Sequence, residues 1–296
     1  MTWNSYHIFI HDMTHHDLFL KDYLHPFIRE NEKNISQYFF IRYWQGGPHI
    51  RFRFKSPAYQ TIVNGLHMVV ERFESVYKPT IQLTKEEYYK NHLFDGDKPN
   101  ESELYWMDDL TITEVAYKPE IERYGGQSLI GYSEEIFQIT SDLALRRLTE
   151  NKDHASTTMK LIYACDFFYE MKAFLPQKQS TNLLESYEEF WSSFTEEGQV
   201  NEKQITKVSQ LFNEQRGLIR KMLHDDNENL YLKSIHRIFR EITLKGKEDA
   251  IPYLIFSHVH MFNNRIGLPS YLESFVATIM KSTEVEVSEN EMGYVF

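Results

Sequence analysis

Between Gln37 and Phe54 the sequence is built to form a β-hairpin. Gln37 to Trp44 reads as one strand, Gly46-Gly47-Pro48 turns the chain back, and His49-Ile50-Arg51-Phe52-Arg53-Phe54 alternates strictly in polarity. A repeat of two puts His49, Arg51 and Arg53 on one face and Ile50, Phe52 and Phe54 on the other. A sheet anchored by the apolar face presents two guanidiniums side by side, which repel each other unless an anion answers them. Their planar forks match carboxylate or phosphate. The strand is therefore either a solvated basic face or one wall of an anion site.

The surrounding segments extend the hairpin into a sheet. Tyr6 to His11 alternates as a strand, and Thr14 with Asp17 starts a helix through Leu20, Leu24, Phe27 and Ile28, which Pro26 is expected to shorten or kink. After Ser56-Pro57, Ile62, Leu66, Val69, Val70, Phe73 and Val76 fall at helical spacings, and Thr111 to Tyr117 reads as the next strand. The order strand, helix, strand, strand, helix, strand predicts a ferredoxin-like split βαβ sheet. The polar stretch Asp95–Asn100 sits in a long insertion of the kind that often forms a lid or substrate rim. From Gly131 onward the periodicity is helical: 133–150, 154–175, 181–196, 201–224, 228–243, 247–262 and 269–281. The fold class is α+β. Within a single domain over 1–296, residues 1–130 form an antiparallel sheet with helices, 131–281 a mainly helical half packed on it, and 282–296 an acidic tail that is mobile or faces a partner.

The formal charge of −11 argues against direct binding to a nucleic-acid backbone. No run approaches the roughly 18 apolar residues of a membrane span, and Met1–Ser5 lacks a signal-peptide start, so the cytoplasm is expected. The single Cys165 lies in an apolar run and reads as a buried thiol. Thirteen histidines include no HExxH and have no CxxC beside them, so no metal is expected, and no motif implies a cofactor.

Two further segments carry candidate chemistry. Pro119-Glu120-Ile121-Glu122-Arg123-Tyr124-Gly125-Gly126 leaves the fourth strand as a loop stiffened by proline and ended by two glycines. Its plain reading is a charged loop with Glu120 and Arg123 paired. His260-Met261-Phe262-Asn263-Asn264-Arg265-Ile266-Gly267 ends a helix, with His260 and Asn264 four apart on one face and Arg265 placed to complement the helix dipole. Together the segments supply arginines for a carboxylate, a histidine for proton transfer and a loop carboxylate. That set suits removal of a proton α to a carbonyl with loss of a carboxylate leaving group.

The three motifs PHIRFRF, PEIERYGG and HMFNNRIG, in this order and after Trp3, resemble the C-terminal elimination domain of class I lanthipeptide dehydratases, the nisin dehydratase type, which also occurs free-standing in thiopeptide gene clusters. The resemblance spans essentially the whole chain. It implies a lyase that expels glutamate from glutamylated Ser or Thr of a ribosomal precursor peptide, leaving dehydroalanine or dehydrobutyrine. It further implies that Arg51, Arg53, Glu120, Arg123 and His260 are catalytic, with His49, Asn264 and Arg265 contacting substrate. The chain is too short to include the large glutamylation domain, so a separate glutamyl-tRNA-dependent subunit is the expected partner, beside the precursor's leader and core. A homodimer is compatible with its amphipathic helices. Two alternatives stay open: a thiopeptide pyridine synthase joining two dehydroalanines by formal [4+2] cycloaddition with loss of the leader, and a non-catalytic leader-binding subunit. Pyridine synthases, as that family is understood, do not keep the elimination arginines and histidine together.

Overall fold

The computed structural model describes residues 1–90, 100, 104–150, 156–194, 202–223 and 226–292. The chain divides into two compact units, Met1–Pro119 with Ala144–His154, and Glu120–Leu143 with Ala155–Phe296. The division falls before Glu120, so the Glu120–Gly126 loop groups with the helical unit rather than with the sheet.

In the first unit, β1 (Asn4–Phe9), β2 (Gln37–Tyr43), β3 (His49–Lys55) and β4 (Ile112–Glu114) form one sheet in the order β2-β3-β1-β4, each neighbour antiparallel. This is the split βαβ arrangement that the element order predicts. Gly46 and Gly47 take φ of 88° and 106° in the hairpin turn, a region closed to most side chains. Tyr6, Ile8, Phe40, Ile50, Phe52 and Phe54 are buried on the face that meets α3 (Tyr59–Glu74), where the hydroxyls of Tyr6 and Tyr59 lie 2.7 Å apart. The α3 stripe Ile62, Leu66, Val69, Val70 and Phe73 is buried as its spacing requires.

The segment before β2 departs from the expected kinked helix. A 3-10 turn at Met13–His15, capped by Asp12, leads through α1 (His16–Phe19) and a π turn at Leu20–Leu24 into α2 (His25–Glu30). Proline in a regular helix loses one hydrogen bond and collides with the carbonyl four residues back. The wider π turn just ahead of Pro26 lets the helix continue through it. β4 is shorter than the expected Thr111–Tyr117 because Tyr117 leaves the ladder to lie edge-on to Trp3, with ring centroids 5.9 Å apart. Asp95–Pro99 lies outside the described residues. A short α4 (Lys85–Lys90) precedes it.

The second unit holds α5 (Ile130–Glu150, its last turns grouped with the first unit), α6 (Thr157–Lys172), α7 (Gln177–Ser192), α8 (Glu202–Leu223), α9 (Asp226–Leu244), α10 (Ile251–Ile266) and α11 (Glu273–Met292). Every residue of α6 from Leu161 to Phe168 is buried, the mark of a central helix, and Cys165 lies fully buried in it. Burial pushes that thiol pKa above its usual range. α10 packs on α6 and α7, while α11 packs on α6, α7 and α8. α11 continues past the expected end at Lys281, since no glycine or proline interrupts the sequence before Gly293. Residues 282–292 are thus helical.

Candidate functional site

In the first unit, β3 register places His49, Arg51 and Arg53 opposite Phe9, His7 and Ser5 of β1 and opposite Tyr43, Ile41 and Phe39 of β2. The arginines are held by aromatic rings. The Arg51 guanidinium carbon lies 3.3 Å from the Tyr43 ring centroid, and that of Arg53 lies 4.7 Å from Tyr117 and 5.2 Å from Phe39. His49 is fully buried, with Nδ1 at 2.8 Å from the Gly47 carbonyl and Nε2 at 3.1 Å from Arg51 Nε. Arginine only donates, so Nε2 must accept and Nδ1 must carry the proton to Gly47. Burial first, then the neighbouring His7, holds the His49 pKa well below the ordinary value. His7 stacks on His49 at 4.7 Å, and burial followed by the charges of Arg51 and Arg53 lowers its pKa to about 3. This face therefore carries cationic guanidiniums beside neutral imidazoles.

In the second unit, Arg123 Nη1 donates to Glu120 Oε2 at 3.1 Å in a partly exposed pair. The loop is shaped by a 3-10 turn at Glu122–Tyr124 and by Gly125 and Gly126 at φ 78° and 86°. Tyr124 is buried with its ring 4.7 Å from Phe137 and 5.4 Å from His258. Burial, then Arg265 and Arg123, lowers the His258 pKa to about 3.

The third motif builds a tight cluster. Gly267, in the left-handed region, ends α10, and Pro269 directs the chain into α11 so that its first residue, Glu273, returns alongside His260. His260 Nδ1 lies 2.7 Å from Glu273 Oε1. Tyr187 of α7 donates to Glu273 Oε2, and Asn263 Nδ2 donates to the same oxygen at 3.1 Å and to the Tyr187 oxygen at 3.3 Å. Glu273 is 1% exposed. Burial and the Glu273 charge raise the Tyr187 pKa far above its ordinary range, so this phenol keeps its proton. Trp191 stacks on the His260 ring at 4.4 Å and 25°.

The structure thus brings His49, Arg51 and Arg53 to one sheet face, pairs Glu120 with Arg123, and joins His260 to three residues that sequence reasoning missed: Glu273, Tyr187 and Asn263. His49, expected to contact substrate, has both ring nitrogens engaged within the protein. Asn264 is half-buried, and the asparagine that joins the His260 cluster is Asn263 instead, one residue nearer on the same helical face. Arg265, also expected at substrate, is fully buried; its Nε donates to Ser141 at 3.0 Å and its guanidinium lies over Phe137. That placement ties α10 to α5. Among the described residues no group of three or more His, Cys, Asp or Glu could hold a metal ion, and no helix is long and apolar enough to cross a membrane.

Comparison with known proteins agrees with the motif reading. The family model for the lantibiotic biosynthesis dehydratase C-terminal region matches residues 3–283. The epidermin biosynthesis protein EpiB of Staphylococcus epidermidis is 26% identical over 294 residues, covering 94% of this chain and 25% of EpiB. The chain therefore spans about a quarter of the length of that curated relative. Among solved structures, the pyridine synthase TbtD from thiomuracin biosynthesis matches with a TM-score of 0.67 at 14% identity, covering 97% of this chain and 99% of TbtD. The tRNA-dependent lantibiotic dehydratase MibB from Microbispora sp. 107891 matches with a TM-score of 0.61 at 18% identity, covering 98% of this chain and 28% of MibB. TsrL follows at 0.59 and 13% identity, over 96% and 95%. At these identities the structures share the fold.

Proposed function

Because the chain belongs to the lantibiotic biosynthesis dehydratase C-terminal family, we propose that it is the lyase of that chemistry, expelling glutamate from glutamylated Ser or Thr of a ribosomal precursor peptide. The observation that carries this reading is the pair Arg51 and Arg53 braced on one sheet face by Tyr43, Phe39, Tyr117 and His49, an arrangement suited to a carboxylate. In the reaction a base takes the Cα proton and the C–H electron pair becomes the Cα–Cβ double bond. The Cβ–O bond then breaks, and glutamate departs with its electron pair. Arg51 and Arg53 bind the free glutamyl carboxylate and offset charge developing on the ester carboxyl as it leaves. His260 supplies a proton to the departing carboxylate. Glu120 is the candidate for the Cα proton, with Arg123 holding its carboxylate. Asn264 is the remaining candidate substrate contact from the HMFNNRIG motif.

We assign glutamylation to a glutamyl-tRNA-dependent activity outside residues 1–296, and the reaction to the cytoplasm, where charged tRNA is made. The precursor peptide is the shared substrate. A second reading is favoured by the full-length likeness to a pyridine synthase: formal [4+2] cycloaddition of two dehydroalanines. Offering the purified chain a synthetic glutamylated peptide, and separately a peptide already bearing two dehydroalanines, separates the two. Release of glutamate from the first supports elimination. A macrocycle from the second alone supports the rival.

A further inference from the structure

We propose that Glu273 is a positioning residue that fixes the His260 tautomer and so makes Nε2 the nitrogen through which this histidine moves protons. The proposal deepens the elimination reading and rests on it for the identity of the reaction. A carboxylate can only accept hydrogen bonds, so the 2.7 Å contact between Glu273 Oε1 and His260 Nδ1 requires the proton on Nδ1. The other carboxylate oxygen is already occupied. Asn263 Nδ2 can only donate, and because it donates to both the Tyr187 oxygen and Glu273 Oε2, the phenol proton is spent on Glu273 as well. Tyr187 and Asn263 therefore orient the carboxylate, the carboxylate orients the imidazole, and Trp191 clamps the ring plane. His260 Nε2 has no hydrogen-bond partner among the described residues. Nε2 is the reacting atom either way: to take a proton the ring must be the neutral Nδ1–H tautomer, and to give one it must be the imidazolium, whose charge the Glu273 carboxylate offsets.

Glu273→Gln tests this, because Asn263, turned as it is with Nδ2 towards residue 273, favours one orientation of the new amide. With Asn263 Nδ2 donating as it does, the amide oxygen takes that side and the NH2 turns to His260 Nδ1. That nitrogen must then accept, and the ring proton moves to Nε2. Histidine-selective 15N NMR of the full chain, with the His260 signals identified by their loss in His260→Gln, is expected to show Nδ1–H in the unaltered protein and Nε2–H in Glu273→Gln. Glutamate release from a glutamylated peptide is expected to lose about 10²- to 10⁴-fold in kcat, as wrong-tautomer variants of triad enzymes do, with KM within about threefold. Tyr187→Phe, which keeps the ring and removes one donor, is expected to lose about 3- to 10-fold while keeping Nδ1–H. A wild-type ring with its proton on Nε2, or kcat within twofold of wild type in both variants, overturns the assignment. Absence of any elimination by the unaltered chain would sink the elimination reading while the NMR result still decides the tautomer.

Discussion

Arg51 Nε donates to His49 Nε2 across 3.1 Å, and His49 is in turn anchored through Nδ1 to the Gly47 carbonyl in the hairpin turn. A glycine turn, a buried neutral histidine and a guanidinium thus form one hydrogen-bonded chain ending at the proposed carboxylate-binding arginine. His49→Phe keeps the ring and removes both hydrogen bonds. It is expected to lower kcat/KM for glutamylated peptide by about 10- to 100-fold, roughly one to two lost charged hydrogen bonds. His49→Gln, which can still accept from Arg51, should recover part of the loss. Steady-state kinetics of both variants check this.

Acid should destabilise the fold through its buried histidines. His7 and His258 titrate at about 3 in the folded chain against 6.5 ordinarily, because burial and nearby arginines disfavour the charged ring. The unfolded chain therefore binds more protons between these values. Stability is fully present above about pH 6.5 and is lost as pH falls toward 3, by up to about 1.4 kcal/mol per pH unit for each histidine. Urea unfolding at a series of pH values should show this slope, and His258→Phe should flatten it.

Glu120 and Arg123 form a pair exposed enough to contribute no more than about 1 kcal/mol to stability. If the loop were only a charged surface, Glu120→Gln would be silent in every assay. The catalytic reading predicts an unfolding midpoint close to that of the unaltered chain with elimination reduced by at least about tenfold. Unfolding and turnover measured on the same preparation check both halves of that statement.

Gly125 and Gly126 share a positive φ but differ in surroundings. A Cβ on Gly125 would meet Leu129 Cδ1 at 2.7 Å, while one on Gly126 would meet nothing within 4 Å. Gly125→Ala should therefore destabilise by more than about 1 kcal/mol, combining backbone strain with a clash. Gly126→Ala should cost less. Chemical denaturation of the two variants ranks them.

What was legible in the sequence was local. The alternation of Arg51 and Arg53 with Phe52 and Phe54 sets both faces of β3, and Gly46-Gly47-Pro48 sets its turn, so the hairpin and the split βαβ order could be read directly. The π turn ahead of Pro26 could not, because proline signals an interruption without saying how a helix accommodates it. Glu273 was hidden for another reason. It opens a helix, where an acidic residue is ordinary, and its partner His260 lies thirteen residues back across a glycine turn. Helical spacing alone could not choose between Asn263 and Asn264, since i+3 and i+4 share a face. From α7, Tyr187 reaches Glu273 and Trp191 stacks on His260, contacts that only the tertiary fold creates. His7 entered the arginine face through the β1–β3 register, which neither strand displays alone.

Elimination is tested by mass spectrometry of a synthetic peptide carrying an O-glutamylated serine deuterated at Cα, incubated with the purified chain. Free glutamate and a dehydroalanine peptide that has lost its deuterium are expected, with no product from His260→Ala. Serine regenerated with its deuterium in place, or an untouched ester, would contradict elimination.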